Sequence, residues 1–434
     1  MRGRLAWGER NDSVGALTKV KWLADKGNAM DVDLVALSKA LTQKAGPRSS
    51  IPAGYTYLGQ MIAHDLVAPR TSPSLRTFAA KLNLDSIYAS SNSNGFPEVD
   101  KDREWDLPRN PEGIANIPEP RNDENIIVAQ LHRVWQRVHE NIVRHGASQE
   151  QARADVVRLF QAVVIDDYLQ RILQPHVFQA YFRRGERHLG FADDKVPEVF
   201  SHAAFRFGHS MVRRAYTLNS EAHGITLSRL FLAGKVIPDE FKISWSEFFK
   251  IDPERDPQNA MGIDTSITDL MTGVPAANSM VQDVVLRNLQ AGVGLPTGLE
   301  YVTGLLNGLS VGSEYYPKVD PALHLYRAVD DSVQVLGLSG DKLPLYPYIL
   351  LESELQGQRA RLGVLGSLIV GETIQNAIRT ASPSVFQGGV YRFTLVLKEL
   401  SQACRTLLAT TRNGNSAMPE SIGMPAIISI ANPM

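Results

Sequence analysis

The chain has 434 residues, 44% of them hydrophobic, and a formal net charge of −1. That is enough apolar material for a large core, and the interleaved, balanced charges exclude a global field drawing it to nucleic acid or an anionic membrane. The lone cysteine, Cys404, excludes intrachain disulfides and thiolate clusters for zinc or iron–sulfur, and it reads as a small buried hydrophobe.

The opening segment, MRGRLAWGERNDSV, is basic but lacks the apolar run of a secretory signal. No stretch approaches the ~20 apolar residues of a membrane span, so the expectation is a cytoplasmic protein. The first hundred residues read as irregular. PRTSPS (Pro69 to Ser74) and SSNSNGFPE (Ser90 to Glu98) carry turn chemistry, and DLPRNPEGIANI (Asp106 to Ile117) reads as extended loop. Helical spacing begins with Ile127, Leu131, Val134, Trp135, Val138 and Ile142, capped by Asn122 or Asp123 and ended at Gly146. A second helix is predicted from about Gln151 to Leu173, stopped by Pro175, with Val156, Leu159, Phe160, Val163, Val164 and Ile172 inward. A third spans Arg361 to Ile378, burying Leu362, Leu365, Leu368, Ile369 and Ile374. Strand signals are few, and no Gly/Ser linker divides the chain. The pattern predicts a mainly α fold in one domain, with long loops around a helical centre.

Three segments carry candidate chemistry: GQMIAHD (Gly59 to Asp65), EPRNDEN (Glu119 to Asn125) and AAFRFGHSM (Ala203 to Met211). His64 follows Gln60 by one helical turn, on the same face. A histidine of near-neutral pKa beside a bound peroxide can move a proton between its oxygens, and Gln60 can hold water or substrate there. Taken alone, His64 is more simply a satisfied helix histidine. Arg121 can stabilise charge that develops as an O–O bond breaks, or it can pair with Glu119 or Asp123. Glu124 lies three residues on, where a first-turn carboxylate suits the helix dipole. His209, among Phe205, Phe207, Gly208 and Met211, suits an axial iron ligand in apolar surroundings, with a core histidine bonded to a carbonyl as the competing role. Asn288, in VLRNLQAGVGLPTG, can accept its second N–H or cap a helix. His132, His139, His145 and His324 show no ligand spacing and read as structural or solvated.

In combination, GQxxxHD, RxxEN, FRFGH and a later RNLxxG resemble the animal-type heme peroxidases, the peroxidase–cyclooxygenase superfamily, in its short bacterial form. The resemblance runs from about Ile51 to Phe386. It implies a mainly helical heme-peroxidase domain with heme between distal and proximal helices. Residues 1–50 would be an irregular N-terminal extension, 51–390 the peroxidase core and 391–434 a C-terminal segment. By this resemblance His64 is the distal histidine, Gln60 the distal glutamine and Arg121 the catalytic arginine. His209 is the proximal ligand to heme iron, Asn288 its hydrogen-bond partner, and Arg206 lies near a heme propionate. Many relatives bind heme through an aspartate ester where this chain has Ala63, so that link is lost. Glu124 matches the second ester position, which leaves heme b with one link or none. Asp65 matches a calcium ligand, yet no T-x-F-x-D-x-S loop completes an oxygen cage, so calcium is doubtful. Ala291 stands where many relatives carry a second propionate arginine.

The expected activity is reduction of hydrogen peroxide with oxidation of a small electron donor, such as a phenol or halide. A fatty-acid dioxygenase of the same superfamily is the alternative. Its relatives use a tyrosine three residues before the proximal histidine, where this chain has Arg206. A heme-binding scaffold of low turnover is the third reading, disfavoured because every expected catalytic group is retained.

Overall fold

A computed structural model describes residues 32–42, 46–67, 80–88, 95–231, 235–275, 281–308, 342–411 and 421–432. His324, the segment PRTSPS and part of SSNSNGFPE lie outside these residues. The predicted irregular N-terminal extension is interrupted by helix α1, Leu34–Leu41. The Asp33 carboxylate caps it, accepting from the Val35 and Ala36 N–H groups at 3.0 Å each. Strand β1, Arg48–Pro52, pairs antiparallel with β2, Asn259–Met261. The remaining sheets among the described residues are two-residue hairpins.

Helix α2, Gly54–Leu66, follows β1 directly and replaces part of the expected irregular region. Its docking depends on Gly59, because a Cβ there would lie 2.4 Å from the Tyr168 hydroxyl. Helix α3, Ile126–Arg144, agrees with the hydrophobic period. Its cap is Asn125, whose side chain accepts from Ile127 N at 2.8 Å, and not Asn122 or Asp123. Those two belong to a separate 3₁₀ turn, Pro120–Asp123, closed by Asn122 N to Glu119 O at 3.0 Å. Gly146 takes φ +101° just past the end of α3, where a left-handed backbone favours glycine.

Helix α4, Gln149–Val163, begins with a Ser148–Gln151 capping box. It runs on through a π-helical stretch, Val164–Leu169, and a last α turn, Gln170–Ile172. Trp135 of α3 meets Phe160 of α4 edge-on, with ring centroids 5.1 Å apart. The Asp106–Ile117 segment folds back on itself through an Arg109–Ala115 bridge, in place of an extended loop.

Helix α5 covers Val284–Ala291, α6 Leu345–Gln356 and α7 Val364–Arg379. The buried Glu352 carboxylate of α6 caps α7, accepting from Leu365 N and Gly366 N at 2.9 and 3.1 Å. Burial pushes its pKa up to about 7, against the pull of these two bonds. Helix α8, Met424–Ala431, packs on α3, and Asn141 donates to Ile430 O at 2.8 Å. The C-terminal segment thus shares the apolar cluster that holds α2 to α7.

Candidate active site

Helix α2 presents one face differently from the rest. Gln60 and Ala63, with Val67 just past the helix end, are only half-buried, while the rest of the helix is buried. Their spacing of three and four residues puts them beside His64 along one stripe. His64 is 8% exposed, and its Nδ1 lies 2.7 Å from Asn122 Oδ1. An oxygen at that place calls for a donor on Nδ1, and which of the two ring nitrogens carries the proton follows from how the Asn122 amide is turned. Burial first, then the Arg121 charge, lowers its pKa to about 4, with Asn122 partly opposing.

Arg121 occupies the 3₁₀ turn and reaches back to the end of α2. Its Nη2 donates to the carbonyls of His64 and Val67 at 3.1 and 2.8 Å. Nε and Nη2 also grip the buried Glu119 carboxylate, each at 2.8 Å. The pairing with Glu119 considered in the sequence is therefore present, and it fixes the guanidinium beside the end of α2. Burial raises the Glu119 pKa, but the Arg121 bond and charge outweigh it and hold the carboxylate low. Glu124, half-buried, is raised by burial and opposed by Arg121 and Arg287.

On the other wall, a π turn, Val199–Ala203, leads into the 3₁₀ turn Ala204–His209. His209 Nδ1 lies 2.8 Å from the Asn288 amide on α5. The ring needs an acceptor there if Nε2 is to serve as a neutral ligand, and turning the amide by 180° supplies Oδ1. Burial, then Arg206 and Arg287, lowers the His209 pKa to about 3, so the ring is neutral. Arg206 is anchored by Nε to Ser201 O at 2.7 Å.

The two walls meet. Helix α2 packs against the 204–209 turn, and α6 packs against the same turn. The charge of Arg206 bears on both His64 and His209, and that of Arg287 on both Glu124 and His209. Phe205, Arg206, Gly208 and His209 are half-buried, and a Cβ built on Gly208 would meet nothing within 4 Å. The half-buried stripe of α2 and the half-buried His209 turn thus belong to two elements that pack together. Apolar neighbours, a neutral imidazole and nearby arginines fit a flat macrocycle with anionic side groups. Cavities of about 260 and 410 Å³ lie elsewhere, against Arg133 and Trp245 and against Asp167 and Arg171.

Asp65 is buried near the end of α2. Its two carboxylate oxygens accept from Ser86 N and Leu84 N, both at 2.9 Å, and burial raises its pKa to about 7. It closes the 84–86 turn onto α2. Among the described residues, no three His, Cys, Asp or Glu side chains converge as a metal site. Sequence reasoning missed three neighbours of the site. Asn122, read as a cap, is the partner of His64. Arg287, directly before Asn288, brings a cation's charge to His209. Tyr346 on α6 buries its hydroxyl beside Asn288, without a hydrogen bond of good geometry.

Two histidines thus lie on packed elements of a mainly helical fold. Residues 67–253 match the animal haem peroxidase family. That span contains Arg121, Glu124, Arg206 and His209; Gln60, His64 and Asn288 lie outside it. Human thyroid peroxidase is 36% identical over 92 residues, 19% of this chain and 10% of that protein. Thyroid peroxidase of Canis lupus familiaris is 31% identical over 209 residues, 38% of this chain and 22% of that protein. The chain thus spans less than a quarter of the length of these curated relatives. Two solved structures share the fold. Peroxidase A from Dictyostelium discoideum gives a TM-score of 0.57 at 14% identity, covering 87% of this chain and 90% of that one. Oryza sativa fatty acid alpha-dioxygenase gives 0.60 at 11% identity, covering 94% and 80%. The sequence likeness to animal haem peroxidases thus covers residues 67–253, and the likeness to these two structures is one of fold.

Proposed function

We propose that this protein is a heme peroxidase that reduces hydrogen peroxide and oxidises a small electron donor. The observation that carries the reading is a pairing of elements: α2, which bears His64, packs against the 204–209 turn, which bears His209, and each imidazole has its Nδ1 tied to an asparagine amide. In this proposal His209 Nε2 holds the iron, Asn288 fixes the ring, and Arg206 and Arg287 face the anionic edge of the macrocycle. Heme, when bound, supplies the electrons that cleave the O–O bond and recovers them from the donor.

The chain's own residues handle protons and charge. The bare Nε2 of His64 takes the proton from one peroxide oxygen and returns it to the other, which departs as water. The depressed pKa suits that role, because the ring is free to accept at neutral pH and gives the proton up readily. Arg121, held by Glu119, opposes the negative charge that grows on the departing oxygen. Gln60, one turn before His64 on the half-buried stripe, orients water or peroxide. Glu124 stands where one ester link to heme would form.

Fatty-acid oxygenation is the second reading, favoured by the fold of the rice dioxygenase. Arg206 in place of tyrosine three residues before His209 weighs against it. Stopped-flow mixing of heme-loaded protein with hydrogen peroxide separates the two. The peroxidase reading expects a fast spectral change that needs peroxide and slows by about 10²-fold or more in His64→Ala. Oxygen uptake with a fatty acid and no reductant, with no peroxide reaction, would overturn it.

A further inference from the structure

Behind His64 runs an unbroken line of buried polar side chains. Asn122 Oδ1 meets His64 Nδ1 at 2.7 Å, and Asn122 Nδ2 meets His132 Nδ1 at 2.9 Å. His132 Nε2 then meets the Gln136 amide nitrogen at 3.2 Å. Asn122 and His132 are 0% exposed and Gln136 1%, so these groups must satisfy one another. The line starts in the 3₁₀ turn before α3 and continues along α3, where His132 and Gln136 are one turn apart.

Hydrogen counting restricts the line. A neutral imidazole has one donor and one acceptor nitrogen, yet His132 faces an amide NH₂ at each end. One of the two amides must be turned, and only two polarities satisfy every member. With Gln136 turned, His64 Nδ1–H donates to Asn122, Asn122 donates to His132, and His132 Nε2–H donates to the Gln136 oxygen. With Asn122 turned, every bond reverses and the proton of His64 sits on Nε2. The distances favour the first. The 2.7 Å contact is short, as suits N–H···O, and the 3.2 Å contact at Gln136 is the loose one. Little else holds the Gln136 oxygen, because its contact to Arg133 Nη1 is 3.5 Å, and Arg133 already grips the Glu140 carboxylate at 2.6 and 3.0 Å.

We propose that Asn122, His132 and Gln136 form a relay of positioning residues that pins His64 in its Nδ1–H form and leaves its Nε2 bare. This deepens the peroxidase reading and rests on it for its purpose. When Nε2 gains the peroxide proton, the Nδ1–H keeps its acceptor. The Asn122 amide, itself donating to His132, is polarised to carry the new charge. No proton leaves along the relay; it orients the ring and steadies the cation until Nε2 gives its proton up.

The test uses heme-loaded protein with nitrogen-15 histidine, in the diamagnetic ferrous carbonyl form, read by NMR for the His64 tautomer. Wild type should show His64 protonated on Nδ1. His132→Ala should give mixed tautomers and a peroxide rate about 10–100-fold lower, with heme content and donor dependence unchanged. Gln136→Leu should move the tautomer in the same direction and serves if His132→Ala does not fold. Asn122→Asp, which keeps an acceptor for Nδ1, should restore the single Nδ1–H signal in the His132→Ala background. An Nε2–H His64 in wild type would overturn the proposal, as would unchanged tautomer and rate in both His132→Ala and Gln136→Leu. A wild type with Nδ1–H on His64 but no peroxide reaction would sink the peroxidase reading and leave the relay standing.

Discussion

Arg109→Met should cost about 3–5 kcal/mol of folding stability at neutral pH, the range for removing one partner of a buried ion pair. Arg109 is 7% exposed and joins two carboxylates, Asp106 at 4% and Asp123 at 9%. Its Nε and Nη2 bond Asp106 at 3.0 Å each, and Nη1 and Nη2 bond Asp123 at 2.9 and 2.7 Å. Nη1 also bonds Gly113 O at 2.9 Å. Burial opposes the guanidinium charge, but Asp123 and Asp106 outweigh it and push its pKa up. Methionine keeps much of the stem's packing and strands both carboxylates away from water. Summing five charged hydrogen bonds would overshoot, because the unfolded chain solvates all the partners. Asp123 lies between Asn122 and Glu124, so the Pro120–Asp123 turn should loosen and the peroxide reaction slow. Urea unfolding of both proteins at pH 7 measures the effect. A loss below about 1 kcal/mol would refute the reasoning.

The remaining predictions concern the site. The peroxide rate should be flat from about pH 6 to 8 and fall only below about pH 5, because His64 is held near a pKa of about 4; a midpoint near ~6.5 contradicts this. The same ring titrates near ~6.5 in the unfolded chain, so it should destabilise folding as pH falls from ~6.5 to ~4, by about 3 kcal/mol. The stability gap between wild type and His64→Gln should therefore change across that window and be constant above it. Glu124→Gln should abolish any covalently held heme, read by acid–organic extraction; complete extraction from wild type rules the ester out. His209→Ala should lose the Soret band on heme loading, and normal heme content in that variant would move the ligand elsewhere.

Much of the helical frame was legible because α3 and α7 repeat apolar residues at helical spacing, and one buried face fixes such a period. Boundaries were less legible. Asn122 looks like a cap in sequence, but Pro120 starts a separate turn and Asn125 takes the capping role. The π-helical stretch at Val164–Leu169 left no mark, since the same apolar residues fit an α-helix. Helix α1 was passed over because eight residues give too short a period, although Asp33 was a readable cap. The site was legible as motifs: the His209–Asn288 contact came from the family resemblance, and the His64–Asn122 contact was not readable at all. His209 and Asn288 are 79 residues apart, and His64 and Asn122 are 58 apart. Pairings of that separation come from packing, to which local spacing is blind. Arg287 shows the same limit: it adjoins Asn288 in the chain, yet only the fold brings its charge to His209 and Glu124.

The most direct test of the two-sided site is a crystal structure of the heme-loaded protein. The account predicts iron bonded to His209 Nε2, with the bare Nε2 of His64 over the open face and Asn122 still on its Nδ1. Iron bonded to any other residue, or a porphyrin not lying between α2 and the 204–209 turn, would contradict it.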